Sequence, residues 1–538
     1  MVREGLPSAN EVQKSNADTF YDTLIKTFPK KDSYSIINEL PGPMRNLDLE
    51  SGHAWKTAWK TFMEFEKLGR SHIAYAHWQK ELTGSLSSNI VVPQLVFQRE
   101  NDNGKSMRPE ATFQVIVSHP DDAARIARIH VQKQPNFTMG LYSSIISTTD
   151  NEHWVQQREH IVPAFLPQAS LRKVFPVTAN RARACVEKLK GLARDGPVDM
   201  SEFLLFEAEA QLQLSLFGED NEFMERTNAQ FRGSMAGKNP PGYARTFCKE
   251  LVSRFPRESN TCPMGSGGAV HGPLANALAS FETDSRTDEG NALIFAFAGH
   301  DTTGHTMSWL LYELSRHPDH LMRLQSEVDD LFERIGDREL VYDDLFDLQF
   351  MTRCIMETLR LWPAVANGTF REIQFDDYIT GPDGKDVLIK KGTHVQIANW
   401  SRHRNPELWG PDANEFSPDR EFKNNELWNG SALAGYNPAS ERFSPFTFPP
   451  RDCIGKNFAH MEARAIIANL LHHFTFSLTQ PWRDNQNPEE LGVNYGTLAP
   501  RDLSSEDEFV KGFAGWAPTK KVPAGLMMHV VPREQAKL

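Results

Sequence analysis

The segment Phe446-Thr-Phe-Pro-Pro-Arg451-Asp-Cys453-Ile-Gly455 constrains this chain more than any other stretch. It joins turn-rich sequence to Lys456–Arg464, whose apolar residues recur at helical period. A cysteine opening a helix meets free N–H groups and the positive end of the helix dipole, which favour its thiolate. Gly455 opens the backbone to a flat partner, and Arg451 offers a cation to an anionic edge. A planar body with carboxylate edges and a central ion that takes thiolate sulfur describes haem. The same residues also suit a buried structural cysteine at a helix start. Taken alone, the segment leaves both readings open.

Length sets a soft bound: 538 residues allow three or four domains, or one large one. The net charge of −12, with no stripe rich in lysine and arginine, argues against a nucleic-acid partner. Five cysteines, at 185, 248, 262, 354 and 453, are odd in number and form no CxxC pair. That pattern fits a reducing compartment better than a disulfide framework or a zinc site. The N-terminal residues are polar, without the apolar segment of a signal peptide. The densest apolar run, Leu293 to Ala298, is far shorter than a membrane span, so none is predicted.

Along the chain, residues 1–39 read as a polar arm with one amphipathic candidate, Phe20 to Phe28, before the stiff break Pro41-Gly42-Pro43. Helical periodicity covers Trp55–Leu68 and Ser71–Leu82; Ile90–Phe97 and Phe113–Val117 read as strands. Pro120 with Asp121 and Asp122 marks a helix start. The pattern from Glu152 to about Gln325 is almost wholly helical, interrupted by a Gly/Ser/Pro-rich surface loop at Pro263–Gly272. Helices continue through Trp362, short strands fill residues 370–400, and a last helix runs from about Gly455 to Phe474. The tail is expected to close as a hairpin with Leu526–Val531 as its second strand. The expectation is one large, mainly helical domain with small sheets over residues 40–538, after the arm.

Three further motifs carry chemistry. Ala298-Gly-His-Asp301-Thr302-Thr-Gly304 lies within a helix from about Asp288 to Arg316, roughly 40 Å long at ~1.5 Å per residue. Glycines in mid-helix cost about 1 kcal/mol each against alanine, and such a break in a long buried element commonly marks function. Gly299 would let a ligand touch the backbone, Thr302 would turn its hydroxyl away from the helix ladder, and Asp301 would relay protons. A kinked structural helix is the competing account. Glu357-Thr-Leu-Arg360 puts a carboxylate and a guanidinium on one helix face among apolar neighbours, with Arg420 available to complete a network. Trp154 and Arg158 share another helix face, which equally suits a half-buried surface.

Together these features resemble the cytochrome P450 haem-thiolate family over roughly residues 40–535. The motifs stand in the family's order, and His403-Arg404-Asn405-Pro406, Trp409, Phe416 and Pro418-x-Arg420 agree. The resemblance implies the family's fold, a single haem domain, and heme b (iron protoporphyrin IX) as cofactor. It implies Cys453 as the axial metal ligand, within the segment that also holds Phe446 and Gly455. It assigns Arg158, Arg451 and Trp154, with Arg371, to the propionates, and counts Phe446, Gly455 and Gly299 among the cofactor-binding residues. Thr302 would hydrogen-bond dioxygen and Asp301 would feed it protons. One departure stands out: Pro449 replaces the glycine usual four residues before the cysteine, and Pro450 follows it.

The resemblance points to a monooxygenase that inserts one oxygen atom of O2 into a small apolar substrate. No flavin, nicotinamide or iron–sulfur segment is visible, so electrons would come from a partner, a diflavin reductase or a ferredoxin. Docking is expected near Cys453 through Lys456, Arg464, Arg172 and Lys173. The rivals are a haem-thiolate isomerase or lyase acting on peroxides and a haem sensor without turnover; Thr302 and Asp301 disfavour both. The expected protein is monomeric, cytoplasmic or peripheral on the endoplasmic reticulum, and lacks the family's usual N-terminal anchor in this sequence. Substrate contacts are expected after Phe137, in Phe203–Phe217, in Ala296–Thr303, in Ala364–Thr369 and in Gly512–Trp516, with His300 near the pocket.

Overall fold

The computed structural model describes residues 21–533, except 23, 29–34, 100–106, 135–140, 167, 236–241, 257–271, 282, 429–437, 485–490, 495–496 and 502–524. The loop expected at Pro263–Gly272 lies almost wholly outside the described residues, as do the sites expected just after Phe137 and at Gly512–Trp516.

After two short helical segments, Ile25–Thr27 and Ser35–Glu39, come the first long helices, α1 (His53–Lys67) and α2 (Ser71–Thr83). Gly52 and Gly84, both at positive φ, flank them, a conformation that glycine adopts without strain. Strands β1 (Ile90–Arg99) and β2 (Met107–Val117) pair antiparallel, and α3 (Pro120–Ile129) starts on its proline as expected. Then come α4 (Asn151–Phe165) and α5 (Gln168–Leu192), followed by the short β3 (Val198–Asp199) and α6 (Met200–Gln211). A π-helical turn, Leu212–Phe217, extends α6. Asp150 caps α4 by accepting from the Glu152 and His153 N–H groups, and Asp199 caps α6.

The helical block continues with α7 (Asn221–Met235), α8 (Gly242–Ser253) and α9 (Pro273–Ser280). Next is α10 (Ser285–Arg316), capped by Asp284, whose carboxylate accepts from the Arg286 and Thr287 N–H groups at 2.9 and 3.1 Å. Most of its length is buried, and it packs closely on α6. A side chain at Gly304 would come within 2.9 Å of the Leu205 Cα, so glycine sets the approach of the two helices. After α11 (Pro318–Ile335) and α12 (Gln349–Leu361), Trp362 stacks on Trp309 of α10 with ring centres 3.8 Å apart. Their indole N–H groups are satisfied by Glu313 and the Leu498 carbonyl.

Four short strands occupy the region read as strands: β4 (Thr369–Glu372), β5 (Asp377–Thr380), β6 (Asp386–Ile389) and β7 (His394–Ile397). β7 runs parallel to β2, with Val115 opposite Val395, and antiparallel to β4, giving a sheet ordered β1-β2-β7-β4. β5 and β6 form a separate hairpin. The last long helix, α13 (Lys456–His473), runs into β8 (Phe474–Leu478); β9 (Gly492–Asn494) pairs with β10 (Leu498–Pro500). β11 (Met527–Pro532) falls where the tail strand was expected, but its described partners are β8 and β3 rather than a neighbouring strand. Burial explains the choice, because Met528 and Val530 join the main core.

The largest apolar cluster fills the helical block around α10, α12 and α13, and a second lies on the β1–β2–β7–β4 sheet. Leu24, Phe28, Ile36 and Ile37 belong to that second cluster, so part of the segment read as a polar arm buries its apolar side chains. No helix among the described residues is long and apolar enough to cross a membrane.

Candidate functional site

Cys453 lies on a loop whose two ends are pinned. Its N–H donates to the Phe446 carbonyl at 3.0 Å, folding Phe446 and Cys453 toward each other. Asp452 is held from two sides: Arg158 donates to its carbonyl at 3.1 Å and to Oδ1 at 2.5 Å, and Lys456 Nζ donates to Oδ2 at 2.8 Å. Gly455 precedes the first residue of α13, so the cysteine stands before the helix rather than within its first turn. Burial pushes the Cys453 thiol pKa up, against the opposing pull of Lys456, the Gly455 N–H and Arg158. The helix end alone therefore does not make the thiolate expected from the sequence. A metal cation at the sulfur would, because a coordinating thiol is deprotonated by the metal's charge.

The sulfur is exposed on the wall of a cavity of about 460 Å3. Protein encloses the sulfur on its other sides, and its one accessible face opens into this internal space. Phe446 and Gly455 line the same wall, while Ala298 and Thr302 line it from α10. A Cβ at Gly455 would meet only the edge of Phe165, at 3.9 Å, leaving the flat approach that its lack of side chain suggested.

Beside this space sits a group of cations. Arg371 is fully buried and not itself on the cavity wall, which its neighbours Thr369 and Phe370 line; it donates through Nη1 to Thr369 and the Phe370 carbonyl, while its Nε and Nη2 have no partner among the described residues. Arg451 donates through Nη2 to the Thr148 carbonyl and Asn151, and its Nε and Nη1 are likewise unpartnered. Its guanidinium lies 4.5 Å from the Trp154 ring centre. Burial and mutual repulsion push Arg371 down to about 9, and burial with Arg158 pushes Arg451 to about 10. Lys133 is lowered as well, by burial and by both arginines. Buried cations with unspent N–H groups call for anions. Two carboxylates of a flat ligand whose centre reaches Cys453 supply them, so the residues fit haem.

The remaining assignments divide. Trp154 is buried beside Arg451 and lines the cavity, as expected. Arg158 also lines it, but its guanidinium is taken up by Asp452, so it acts as a brace for the loop rather than as a free carboxylate ligand. Thr302 faces the cavity, yet its hydroxyl donates to the Ala298 carbonyl at 2.8 Å, staying on the ladder it was expected to leave. Asp301 is not on the cavity wall; it accepts from Thr497 and lies 3.6 Å from His305. Gly299 borders the cavity, but a Cβ there would collide with Leu212 at 2.9 Å, so its first service is packing. His300 turns away toward Glu209, at 3.3 Å, because the buried carboxylate offers it a partner and the apolar cavity does not.

The Glu–Arg–Arg network forms as the motif suggested. Arg360 meets Glu357 through two bonds of 2.7 Å, Arg420 reaches it at 3.2 Å, and Arg360 also donates to the His403, Ala413 and Glu415 carbonyls. Two of the expected docking cations are unavailable: Lys456 and Arg464 are buried, the first on Asp452, the second on His460 and Thr352. Arg172 and Lys173 are exposed, with Arg172 paired to Asp343. Sequence reasoning missed Lys133, Asn367 and Asn494. Only Asn367 fell within a segment, Ala364–Thr369, already expected at the substrate, and isolated polar residues in loops carry no pattern.

The cytochrome P450 family model matches residues 287–498. The CYP13A5 cytochrome P450 of Caenorhabditis elegans is 34% identical over 214 residues, 40% of this chain and 37% of that protein. Cytochrome P450 4F12 of Homo sapiens is 36% identical over 202 residues, 36% of each chain. Cytochrome P450 4V2 of Pongo abelii is 32% identical over 262 residues, 46% of each chain. The chain thus spans less than half the length of these curated relatives.

Proposed function

We propose that this chain, which belongs to the cytochrome P450 family, is a haem-thiolate monooxygenase acting on a small apolar substrate. One observation carries the reading: a cavity-facing cysteine shares its cavity with the buried Arg451, which like its neighbour Arg371 has N–H groups without acceptors among the described residues. When bound, haem supplies the redox chemistry that splits dioxygen with two electrons from outside the chain.

The protein's own part is to bind, orient and deliver protons. Cys453 would give its sulfur to the metal, and the Arg158–Asp452–Lys456 brace would hold the loop still. Arg371 and Arg451 would anchor the carboxylate edge, with Trp154 fixing the second cation from its ring face. The apolar wall would exclude water and take the substrate. Thr302 holds its proton toward Ala298 and would present it to the cavity by rotating about χ1. Asp301, joined to Thr497 and close to His305, would restore that proton from outside the cavity.

Electrons would come from a diflavin reductase or a ferredoxin, docked over the surface that holds Arg172 and Lys173. A reducing compartment, the cytosol or the endoplasmic-reticulum surface facing it, is proposed from the four described cysteines, all unbridged. The test is the spectrum of the haem-loaded ferrous carbonyl adduct, with turnover measured using reductase and O2 against a lipid hydroperoxide. A thiolate-type band lost in Cys453→Ser, with product only from the first mixture, is expected. A band like that of a histidine-ligated globin, or turnover of the hydroperoxide alone, overturns the reading.

A further inference from the structure

The cavity is mainly apolar, yet two amides on its wall have polar atoms left over. Asn494 is 4% exposed, and its Nδ2 meets no acceptor among the described residues. Asn367 Oδ1 is buried and meets no donor there. Both residues line the cavity that holds Cys453.

The same turn supports both. Asn494 donates its backbone N–H to the Gly69 carbonyl at 2.7 Å, and Asn367 Nδ2 donates to Ser71 Oγ at 2.9 Å. Gly69 and Ser71 flank one residue between α1 and α2, so one short turn anchors both residues on the wall of the same cavity. The backbone that carries them is fixed. Gly368, at φ +79, lies so near the Ile397 carbonyl that a Cβ would sit 1.8 Å from it. Gln396 donates to the Asn367 carbonyl at 2.8 Å, and β10 ties back through Leu498 N–H to the Ala364 carbonyl at 2.8 Å.

We infer that these two amides form a recognition site for a neutral hydroxyl on an otherwise apolar ligand. Asn494 Nδ2 donates to the hydroxyl oxygen and Asn367 Oδ1 accepts its proton. A carboxylate or an ether has no hydrogen for Asn367, and an ammonium has no lone pair for Asn494. A buried polar atom left unmade opposes binding as strongly as a made bond favours it, so such a pair discriminates sharply. The inference rests on the proposed function only in taking the ligand to be the substrate: the enzyme would act on an apolar alcohol held by its hydroxyl end.

The test uses the full-length haem-loaded protein and three probes of equal heavy-atom number: decan-1-ol, 1-methoxynonane and undecane. Dissociation constants are read by equilibrium dialysis, which does not depend on turnover. Asn494→Leu should weaken decan-1-ol at least tenfold while undecane binds as well or better. Asn367→Leu, which removes the acceptor, should weaken decan-1-ol while sparing 1-methoxynonane and undecane, a pattern that a poorly folded variant would not give. Equal loss for all three probes, no binding of any, or decan-1-ol indifferent to both variants overturns the inference, the last result leaving the two amides to ordered water. The carbonyl spectrum, read on the same samples, keeps the two proposals apart: it tests Cys453, whatever the dialysis shows.

Discussion

Arg451 lies 4.5 Å from the ring centre of Trp154, and two of its nitrogens still await an acceptor among the described residues. The ring face holds the cation in a desolvated place without spending its N–H groups. Charge is thereby set in position before any anion arrives; Arg371, on β4, is held instead through Nη1 by Thr369 and the Phe370 carbonyl and likewise keeps two nitrogens without an acceptor among the described residues.

That arrangement predicts opposite effects on the empty and the loaded protein. Arg371→Met removes a buried cation that repels Arg451 and Lys133, so the haem-free protein should be stabilised, raising its urea midpoint. Haem affinity should fall by about tenfold or more, the loss of at least one charge-assisted contact. A drop in both quantities would mean that Arg371 serves the fold alone.

Glu357→Gln should cost roughly 3–5 kcal/mol, because Arg360 stays buried with its paired charge removed. Urea unfolding of the haem-free variant measures it, and haem uptake should fall with it.

The glycines of the site should rank by what a methyl group would strike. Gly304→Ala meets the Leu205 backbone and should cost about 1–3 kcal/mol. Gly299→Ala meets only the movable end of Leu212 and should cost less, and Gly455→Ala should stay within about 0.5 kcal/mol. Thermal unfolding of the three variants checks the order.

Acid should unfold the protein through histidines that it keeps neutral. Burial pushes His394 down to about 4, from an ordinary value near 6.5, and His305 likewise to about 4. Below pH ~6.5 the unfolded chain takes up protons that the fold refuses, so stability is full above that value and lost as pH falls toward 4. His394 alone accounts for about 3 kcal/mol across this window. His394→Gln should flatten the stability–pH slope between pH 4 and 6.5 while leaving the slope above 7 unchanged.

Thr302→Val keeps shape and removes one hydroxyl proton from the cavity wall. Folding should be nearly unchanged, since one helix-ladder bond to Ala298 is lost. Product formed per O2 consumed should fall by about tenfold or more, with hydrogen peroxide released instead.

How much of this was legible in the chain follows from the range of each interaction. Glu357 and Arg360 were legible because three residues on a helix fix a shared face, and Arg420 because its charge has few other buried uses. The helices and the Cys453 loop were legible from period and punctuation. Partners set by tertiary packing were not. Arg158 was read from its own helix, whereas Asp452, 294 positions away, decides what its guanidinium does. Gly299 looked like room for a ligand, but Leu212 fills that room, and no local pattern announces a side chain arriving from another helix. The tail strand was found and its neighbour was not, because strand pairing across 50 residues leaves no trace at either end.

The Glu357–Arg360–Arg420 knot has a kinetic corollary. It cannot close until α12 has met chain 43, 53 and 60 to 63 positions farther on, at the His403 and Ala413 carbonyls, Ser417 and Arg420. Loops of that size must be shut, at an entropic penalty, before any of their bonds form. A refolding chain should therefore acquire its local helices early and wait, partly assembled and sticky, for this junction. Renaturation yield should hinge on dilution at that stage more than on anything done later with cofactor.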